Sequence, residues 1–394
     1  MPKLFQIMPC RLEGYKSTLE GFVKTNKFLV SYNDVCNGGS DMLIPSGIAD
    51  HWGSFFYIPS LAYFFDIGAD LASKIFFLSY GLICFAISLY FFNKLFNNKK
   101  LQLIGFIVIF FLFFLSIGIG DTYSFYGLTS LALIPVWCYF IDKFLYISNI
   151  KIFIFSILSG IMIAFSESVR GQSGLTIIFC LLTYFIMNEK KYKIKKAIII
   201  LLILIPSLPL NFFYEYLKEE RNNYLGKNNE IVLELNKREI SLNHVRSVWH
   251  NAYFGLGFLN DDNPNLPKNN DTYAVNFAKK INPLVVPFTA EYEKILRDEY
   301  FKIMINEPLS YLKIILSKIA YLLLYILLFV NIGLYFLIKK RISAKVKYFF
   351  FPGIAFNCLF GIMAEPYYQY LLGLFVFCSL MTLHILHNEY FSKK

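Results

Sequence analysis

Acidic, basic and aromatic residues with the capacity for chemistry recur at the ends of long apolar runs in this chain. They fall in the stretches Gly118–Tyr123, Ser166–Gln172, Ala364–Gln369 and His244–Gly257. Carboxylates can deprotonate a sugar hydroxyl or hold a divalent cation. Arg and His can bind a phosphate leaving group and stabilise its growing charge. Aromatic rings can stack on sugar faces. The residue types therefore suit transfer of a sugar from a phosphate. The residues concerned are Asp121, Glu167, Arg170, Arg246, Trp249, His250, Tyr253, Glu365 and Tyr368.

Each stretch also has a purely structural interpretation. Asp121 can cap the helix that follows it. Glu167 and Arg170 are three residues apart and can form a local ion pair, which contributes little when exposed. Glu365 can be the hydrated end of a helix, and His250 an ordinary loop residue. Taken together, however, these residues lie on one predicted face of the protein, which favours a site at one membrane surface.

The elements that carry these residues are predicted to be membrane helices. The 394 residues are 56% hydrophobic and only 16% charged, with mean hydropathy +0.50, whereas soluble domains are about a quarter charged. We expect an all-α polytopic protein, because about 17–25 apolar residues are needed to cross a bilayer. A shorter run, Gly53 to Gly68, is broken by Pro59 and is expected at the interface. About nine spans are predicted, at roughly 72–93, 102–119, 124–142, 152–167, 173–187, 197–213, 314–338, 347–363 and 367–386.

The net charge of +11 is explained by the positions of the basic residues. One set of predicted loops, with the C-terminal tail, carries 17 Lys and Arg residues. The alternate short loops, 120–123, 168–172 and 364–366, carry only Arg170. By the positive-inside rule the first set, including the C-terminus, is expected to be cytoplasmic. The charge is thus a topology signal, and no nucleic-acid partner is expected.

The predicted organisation has four parts. Residues 1–71 form an outer segment with amphipathic or interfacial helices, and 72–213 a six-helix membrane module. Residues 214–313 form a large outer loop, and 314–394 a three-helix module with a cytoplasmic tail. No helix precedes the outer segment, so we expect the true start to lie upstream. Cys10 and Cys36 could pair, but free thiols are the favoured expectation.

The order of these features resembles the GT-C superfamily of membrane glycosyltransferases, which includes protein O-mannosyltransferases and the aminoarabinose transferase of lipid A. Glu13–Phe22 is similar to the family segment in which an acid precedes a Tyr and an amphipathic helix. Ile58–Phe65, followed by Gly68, is similar to its Pro-containing helix. Asp121 corresponds to the second outer acid. Gly160 through Arg170, and Asn306-Glu307-Pro308, resemble later family segments.

The resemblance implies transfer from a polyprenyl-phosphate sugar with inversion, at the outer face of a bacterial plasma membrane. The acceptor would be a lipid-linked glycan, lipid A or a protein, and a divalent cation is a possible cofactor. Glu13 or Asp121 would accept the proton of the acceptor, while Arg170 and His250 would hold the lipid phosphate. Asp34, Asp41 and Asp50 remain substitutes for the first acid. The implied substrate-binding set is Asp34, Glu167, Arg170, Arg246, Trp249, His250, Tyr253, Glu365 and Tyr368.

Three other classes remain open. An O-antigen-type polymerase or ligase would depend on Arg170 and the large loop rather than on the acids near Glu13 and Asp121. A lipid-linked glycan flippase or other transporter would place polar residues in mid-span and often shows repeated halves. A non-catalytic subunit or degraded enzyme is also compatible with the missing first helix.

Overall fold

Helices dominate the computed structural model, which describes residues 7–34, 39–46, 51–144, 148–188, 192–228, 247–259, 263–339 and 342–388. The chain begins with α1 (Pro9–Thr25), an antiparallel hairpin of β1 (Val30–Asp34) and β2 (Gly39–Pro45), and α2 (Trp52–Phe64). The predicted all-α class is confirmed apart from this hairpin. The sequence analysis missed the hairpin because strands of five and seven residues are too short to show a clear period.

Among the described residues, seven helices are long and apolar enough to cross a membrane, so the chain is an integral membrane protein. Two shorter apolar helices are α7 (Leu175–Met187) and α16 (Leu372–Leu386). Together they occupy the nine regions predicted as spans. The seven are α3 (Ala69–Leu95), α4 (Lys99–Ile117), α5 (Ser124–Asp142), α6 (Asn149–Val169), the pair α8 (Lys193–Leu204) and α9 (Ser207–Asn228), α13 (Pro308–Val330), and Val346–Met363, which ends in α15 (Phe351–Met363).

Two predicted spans have boundaries different from those expected. The run 314–338 is broken at Asn331, whose φ of 43° lies in the left-handed region, so α13 ends at Val330 and α14 (Ile332–Lys339) follows. The run 197–213 is part of a longer element, because α9 continues to Asn228 beyond the apolar residues. Apolar content alone sets neither boundary, since a helix can extend past the hydrophobic residues.

Helix α5 is the centre of the bundle. Its apolar window is 89% buried, against 50% or less for each of the other six candidate spans. It packs against α3, α4 and α16. The outer helices instead expose large apolar side chains, as lipid contact requires; examples are Leu82, Ile107, Phe111, Leu158 and Leu324. The segments at the ends of α5 are therefore held in place by surrounding helices.

The two ends of the bundle differ in their polar contacts. At the end of α5, Asp142 is paired with Lys345. At its beginning, Asp121 lies close to residues that follow α6 and α15 (below). Successive connections between the membrane helices were predicted to lie at alternate ends of the bundle, and these contacts between described residues agree with that prediction. The assignment of one end to the cytoplasm stays a prediction from the charge distribution.

Three helices from the predicted outer loop form a compact unit, here called the loop module: α10 (Val248–Phe254), α11 (Asp271–Ile281) and α12 (Ala290–Asn306). Its core contains Tyr253, Leu256, Ala274, Tyr292 and Leu296. The module packs closely on the end of α15, because a Cβ on Gly255 would lie 2.2 Å from the carbonyl oxygen of Ala364. The loop is therefore docked on the membrane helices.

The cysteine expectation is wrong at one position. Cys10 is disulfide-bonded, whereas free thiols were favoured; Cys36 lies outside the described residues. The sequence signal was weak because a spacing of this length does not define a pairing. A disulfide is typical of an oxidising compartment, which agrees with the predicted outer position of the N-terminal segment.

Candidate functional site

The site is built around Asp121, which is 1% exposed. It lies in the turn between α4 and α5, where Gly120 has φ 63°, a conformation that favours glycine. The Oδ1 atom of Asp121 accepts hydrogen bonds from the guanidinium of Arg11 and from the backbone amide of Thr122. Oδ2 is buried and has no hydrogen-bond partner among the described residues. One oxygen of this carboxylate is therefore held in place, and the other is buried without a hydrogen-bond partner in the described part of the chain.

The side chain of Asp121 does not cap α5. The N-cap position is Tyr123, without a side-chain cap hydrogen bond, and Ser124 N–H is bonded to the backbone oxygen of Asp121. The simple capping interpretation of Asp121 is therefore not what the geometry shows.

Two guanidinium groups flank the ring of Tyr123. Arg11 lies 5.3 Å and Arg170 4.3 Å from the ring centroid. Arg170 also donates from Nε to the hydroxyl of Tyr126 at 3.1 Å. The hydroxyl groups of Tyr123 and Tyr370 are 3.2 Å apart. Aromatic faces stabilise cations, so this arrangement keeps two positive charges buried beside one carboxylate.

Arg170 is positioned by the turn between α6 and α7. Helix α6 ends at Val169, and Arg170 takes an extended conformation. Glu167 accepts backbone hydrogen bonds from Gln172 at 2.9 Å, Gly174 at 2.9 Å and Leu175 at 3.1 Å. A carboxylate there satisfies amides at the start of α7 and interacts favourably with its dipole. Glu167 thus shapes the turn that presents Arg170.

A cleft lies between this turn, the loop module and α15. It encloses a volume of about 90 Å³ and is partly open to solvent. Both polar and apolar side chains line it, so the cleft can contact a ligand that has a charged head and an apolar tail. Its polar lining includes Arg170, Gln172, Ser247, Asn251 and Tyr370, and its apolar lining includes Val248, Phe360, Met363 and Ala364.

The loop module brings an organised histidine towards the same region. His250 is buried; its Nδ1 lies 2.6 Å from the hydroxyl of Tyr292, and its Nε2 lies 3.1 Å from Oδ1 of Asp271. The hydrogen bond with His250 lowers the pKa of Asp271. Burial raises the pKa of Tyr292, so that its hydroxyl stays neutral. The imidazole is thereby fixed by partners at both ring nitrogens.

Glu293 orients the helix that carries His250. It accepts hydrogen bonds from the backbone amides of Trp249 at 2.6 Å and His250 at 3.2 Å. Burial raises the pKa of Glu293, and these amide hydrogen bonds oppose that shift. The carboxylate of Glu293 therefore satisfies backbone amides at the amino end of α10 and fixes the position of that end.

Electrostatic contacts join the loop module to the membrane helices. The positive charge of Arg11 acts on Asp271 as well as on Asp121. Glu365 lies near Asp271, Asn269 and Lys318. Burial raises the pKa of Glu365 to about 7, against the opposing effects of Lys318 and Asn269. Lys318 donates to the carbonyl oxygens of Ile362 at 3.0 Å and Ala364 at 2.6 Å.

Some predicted site residues lie apart from this cluster. Glu13 is on the opposite face of α1 from Arg11, as two residues along a helix require, and pairs with Lys16 at 3.7 Å. Asp34 is buried near Gly14. Trp249 packs on Tyr300 and Phe301. Of the others, Tyr253 is in the module core and Tyr368 is exposed; Arg246, Asp50 and the side chain of Asp41 lie outside the described residues.

The sequence analysis missed Arg11, Asp271, Tyr292, Lys318 and Tyr370. A usable signal existed for two of them. Lys318 is one of two lysines in an otherwise apolar helix, and Arg11 precedes Tyr15 by four residues, which places both on one helix face. The other three were hidden because their partners are distant in the chain.

No protein-family model, curated protein or solved structure matches this chain. The class that the fold defines is an integral membrane protein with a polar site at one end of its helical bundle.

Proposed function

We propose that this protein is a membrane glycosyltransferase of the GT-C type, which moves a sugar from a polyprenyl-phosphate donor to an acceptor hydroxyl. The observation that carries the proposal is the state of Asp121. One oxygen is held by Arg11, while Oδ2 is buried and has no hydrogen-bond partner among the described residues. A carboxylate positioned in this way suits a general base.

In the proposed reaction, Asp121 accepts the proton of the acceptor hydroxyl, and the resulting oxygen attacks C1 of the donor sugar. The bond between C1 and the phosphate oxygen breaks, and polyprenyl phosphate leaves with the electron pair. The sugar is transferred with inversion. The growing negative charge on the phosphate is stabilised by Arg170, which lines the cleft.

The cleft supports the donor part of the proposal. Arg170 and Gln172 in its lining would bind the phosphate, and Phe360 and Met363 of α15 add apolar surface to the same cleft. A prenyl chain could follow this surface towards the lipid. No step is assigned to a metal. Groups of three or more His, Cys, Asp or Glu residues able to hold a metal are not found in the described part of the chain, and the possible divalent cation stays a prediction.

The charge distribution and the resemblance support a site on the outer face of a bacterial plasma membrane. His250 was predicted to help hold the lipid phosphate. Both of its ring nitrogens already have partners. We therefore propose that Arg170 binds the phosphate and that His250 positions Asp271.

The test measures release of polyprenyl phosphate from a panel of radiolabelled polyprenyl-phosphate sugars by the purified full chain in lipid nanodiscs, with a lipid-linked glycan, lipid A or a protein supplied as acceptor. We expect Asp121→Asn to lose about 100-fold or more in rate, because general-base catalysis contributes about 10²–10⁴-fold. Glu13→Gln is the matched control, since Glu13 is away from the cluster. If Asp121→Asn is normally expressed and fully active, the proposal is wrong.

One observation favours a second candidate, an O-antigen-type polymerase or ligase. Arg170 lines the cleft, and the loop module orders His250 between Tyr292 and Asp271. That class predicts activity that depends on Arg170 and His250 but not on Asp121. The pattern of Arg170→Ala, His250→Asn and Asp121→Asn activities therefore separates the two candidates.

A further inference from the structure

A second group of polar side chains lies beside the cleft, in the turn that joins α15 to α16 and at the start of α11. This group, here called the rim, consists of Asn269, Asp271, Glu365, Tyr367 and Tyr368. Ala364, the residue before Glu365, lines the cleft. The rim and the cleft are therefore adjacent, and the positive charge of Arg11 acts on both Asp271 of the rim and Asp121.

The rim is an ordered arrangement. Asn269 donates from Nδ2 to the hydroxyl of Tyr367 at 3.1 Å. The Asp271 carboxylate is held by His250 at 3.1 Å, yet its side chain is 76% exposed. An acid that is fixed by a buried histidine and still accessible is ready to receive a hydrogen bond from a ligand.

Glu365 is the unexplained member of the rim. It is 2% exposed, and its Oε1 atom is buried with no hydrogen-bond partner within the described ranges. A buried polar atom without a partner costs free energy. A ligand hydroxyl at Oε1 would remove that cost. Because the pKa of Glu365 is about 7, its carboxyl can either donate or accept this hydrogen bond near neutral pH.

The rim also offers aromatic surface and little net charge. Tyr367 and Tyr368 are 44% and 52% exposed, and such rings provide apolar area with a polar edge. Two cations, Arg11 and Lys318, lie close to the three carboxyl groups of Asp121, Asp271 and Glu365, so the rim has no excess of positive charge. Carboxylate, amide and tyrosine groups without an excess of positive charge suit a hydroxylated, uncharged ligand better than an anionic one.

We infer that the rim is the acceptor subsite and that it binds an uncharged glycan. The role of the rim as an acceptor subsite rests on the proposed function, whereas its binding of a glycan does not. It selects, from the predicted acceptors, a hydroxyl-rich glycan over the anionic lipid A. The rim carboxylates receive sugar hydroxyl groups, and the tyrosine rings pack on the sugar faces.

The test needs neither donor nor transfer. The purified full chain in nanodiscs is applied to a printed array of neutral, amino and anionic glycans. We expect retention on neutral glycans, reduced at least tenfold by Asp271→Asn and by Tyr367→Ala. Asp298→Asn, an exposed acid of the same module paired with Arg297, is the matched control and retains binding.

The inference is overturned if no neutral glycan is retained, if anionic glycans are preferred, or if the rim variants bind like the wild type. Unfolding midpoints of all variants are measured in parallel, so that a loss of binding caused by misfolding is recognised. If a rim variant proves to be misfolded, Tyr368→Ala, at an exposed position, is tested in its place. Glycan binding without donor turnover would contradict the proposed function alone, and donor turnover without glycan binding would contradict the acceptor subsite alone.

Discussion

The guanidinium of Arg11 binds the buried carboxylate of Asp121 across a separation of 110 residues. This contact joins the N-terminal helix to the start of the central helix α5. It also sets the geometry of the site, because the same guanidinium packs on Tyr123 and acts on Asp271. A single ion pair therefore connects the outer segment to the membrane bundle, and the charge of the same guanidinium acts on the loop module.

Removal of Arg11 is expected to be strongly destabilising. Arg11→Met leaves the Asp121 charge buried without its partner, which costs about 3–5 kcal/mol. The measurement is the thermal unfolding midpoint in detergent, followed by size-exclusion chromatography. The control is Glu13→Gln, which removes only the exposed pair with Lys16 and should cost less than about 1 kcal/mol. The double variant Arg11→Met with Asp121→Asn should recover part of the loss; no recovery would contradict a pairwise ion-pair role.

Glu167 is expected to stabilise the α6–α7 turn without direct contact to substrate. Glu167→Ala removes the acceptor for three backbone amides and should cost about 1–3 kcal/mol. The donor affinity of Glu167→Ala is measured on folded protein at low temperature. It should fall much less than the donor affinity of Arg170→Ala. A large loss of donor affinity with unchanged stability would show that Glu167 binds substrate instead.

Stability should depend on pH through Glu365. Its pKa is raised from 4.5 to about 7 by burial, so the neutral form is favoured in the folded state. The stability contributed by this group is fully present below about pH 4.5 and is lost as pH rises through about 7, by about 3 kcal/mol at most. Unfolding midpoints of the wild type should thus fall between pH 5 and pH 8 more than those of Glu365→Gln. Parallel curves for the two proteins would refute the assignment.

Docking of the loop module should depend on the absence of a side chain at Gly255. In Gly255→Ala the new Cβ would lie 2.2 Å from the Ala364 carbonyl oxygen, so the module must shift from α15. We expect faster proteolysis of the loop and reduced transfer activity. Gly68→Ala is the control, because a Cβ there meets nothing within 4 Å. Equal proteolysis of the two variants would show that the contact is not needed for docking.

The sequence by itself determined that this is a helical membrane protein, where most of its helices lie, and that its scarce acids gather at one end. These follow from composition and from apolar runs, which are local properties. The polar stretches around Asp121, Arg170 and Glu365 were also identified correctly as neighbours, because alternate loops of a bundle share one end.

Only the tertiary structure decided which side chains meet. It placed Arg11 rather than Glu13 beside Asp121, used Glu167 for backbone amides, and joined His250 to Asp271 and Tyr292. It also produced the β1–β2 hairpin and the docking of Gly255 on Ala364. These features depend on contacts between residues far apart in the chain and on which helix face points inward. Neither is recorded in a local pattern of residue types, because the same charged side chain can cap a helix, pair at the surface or line a site.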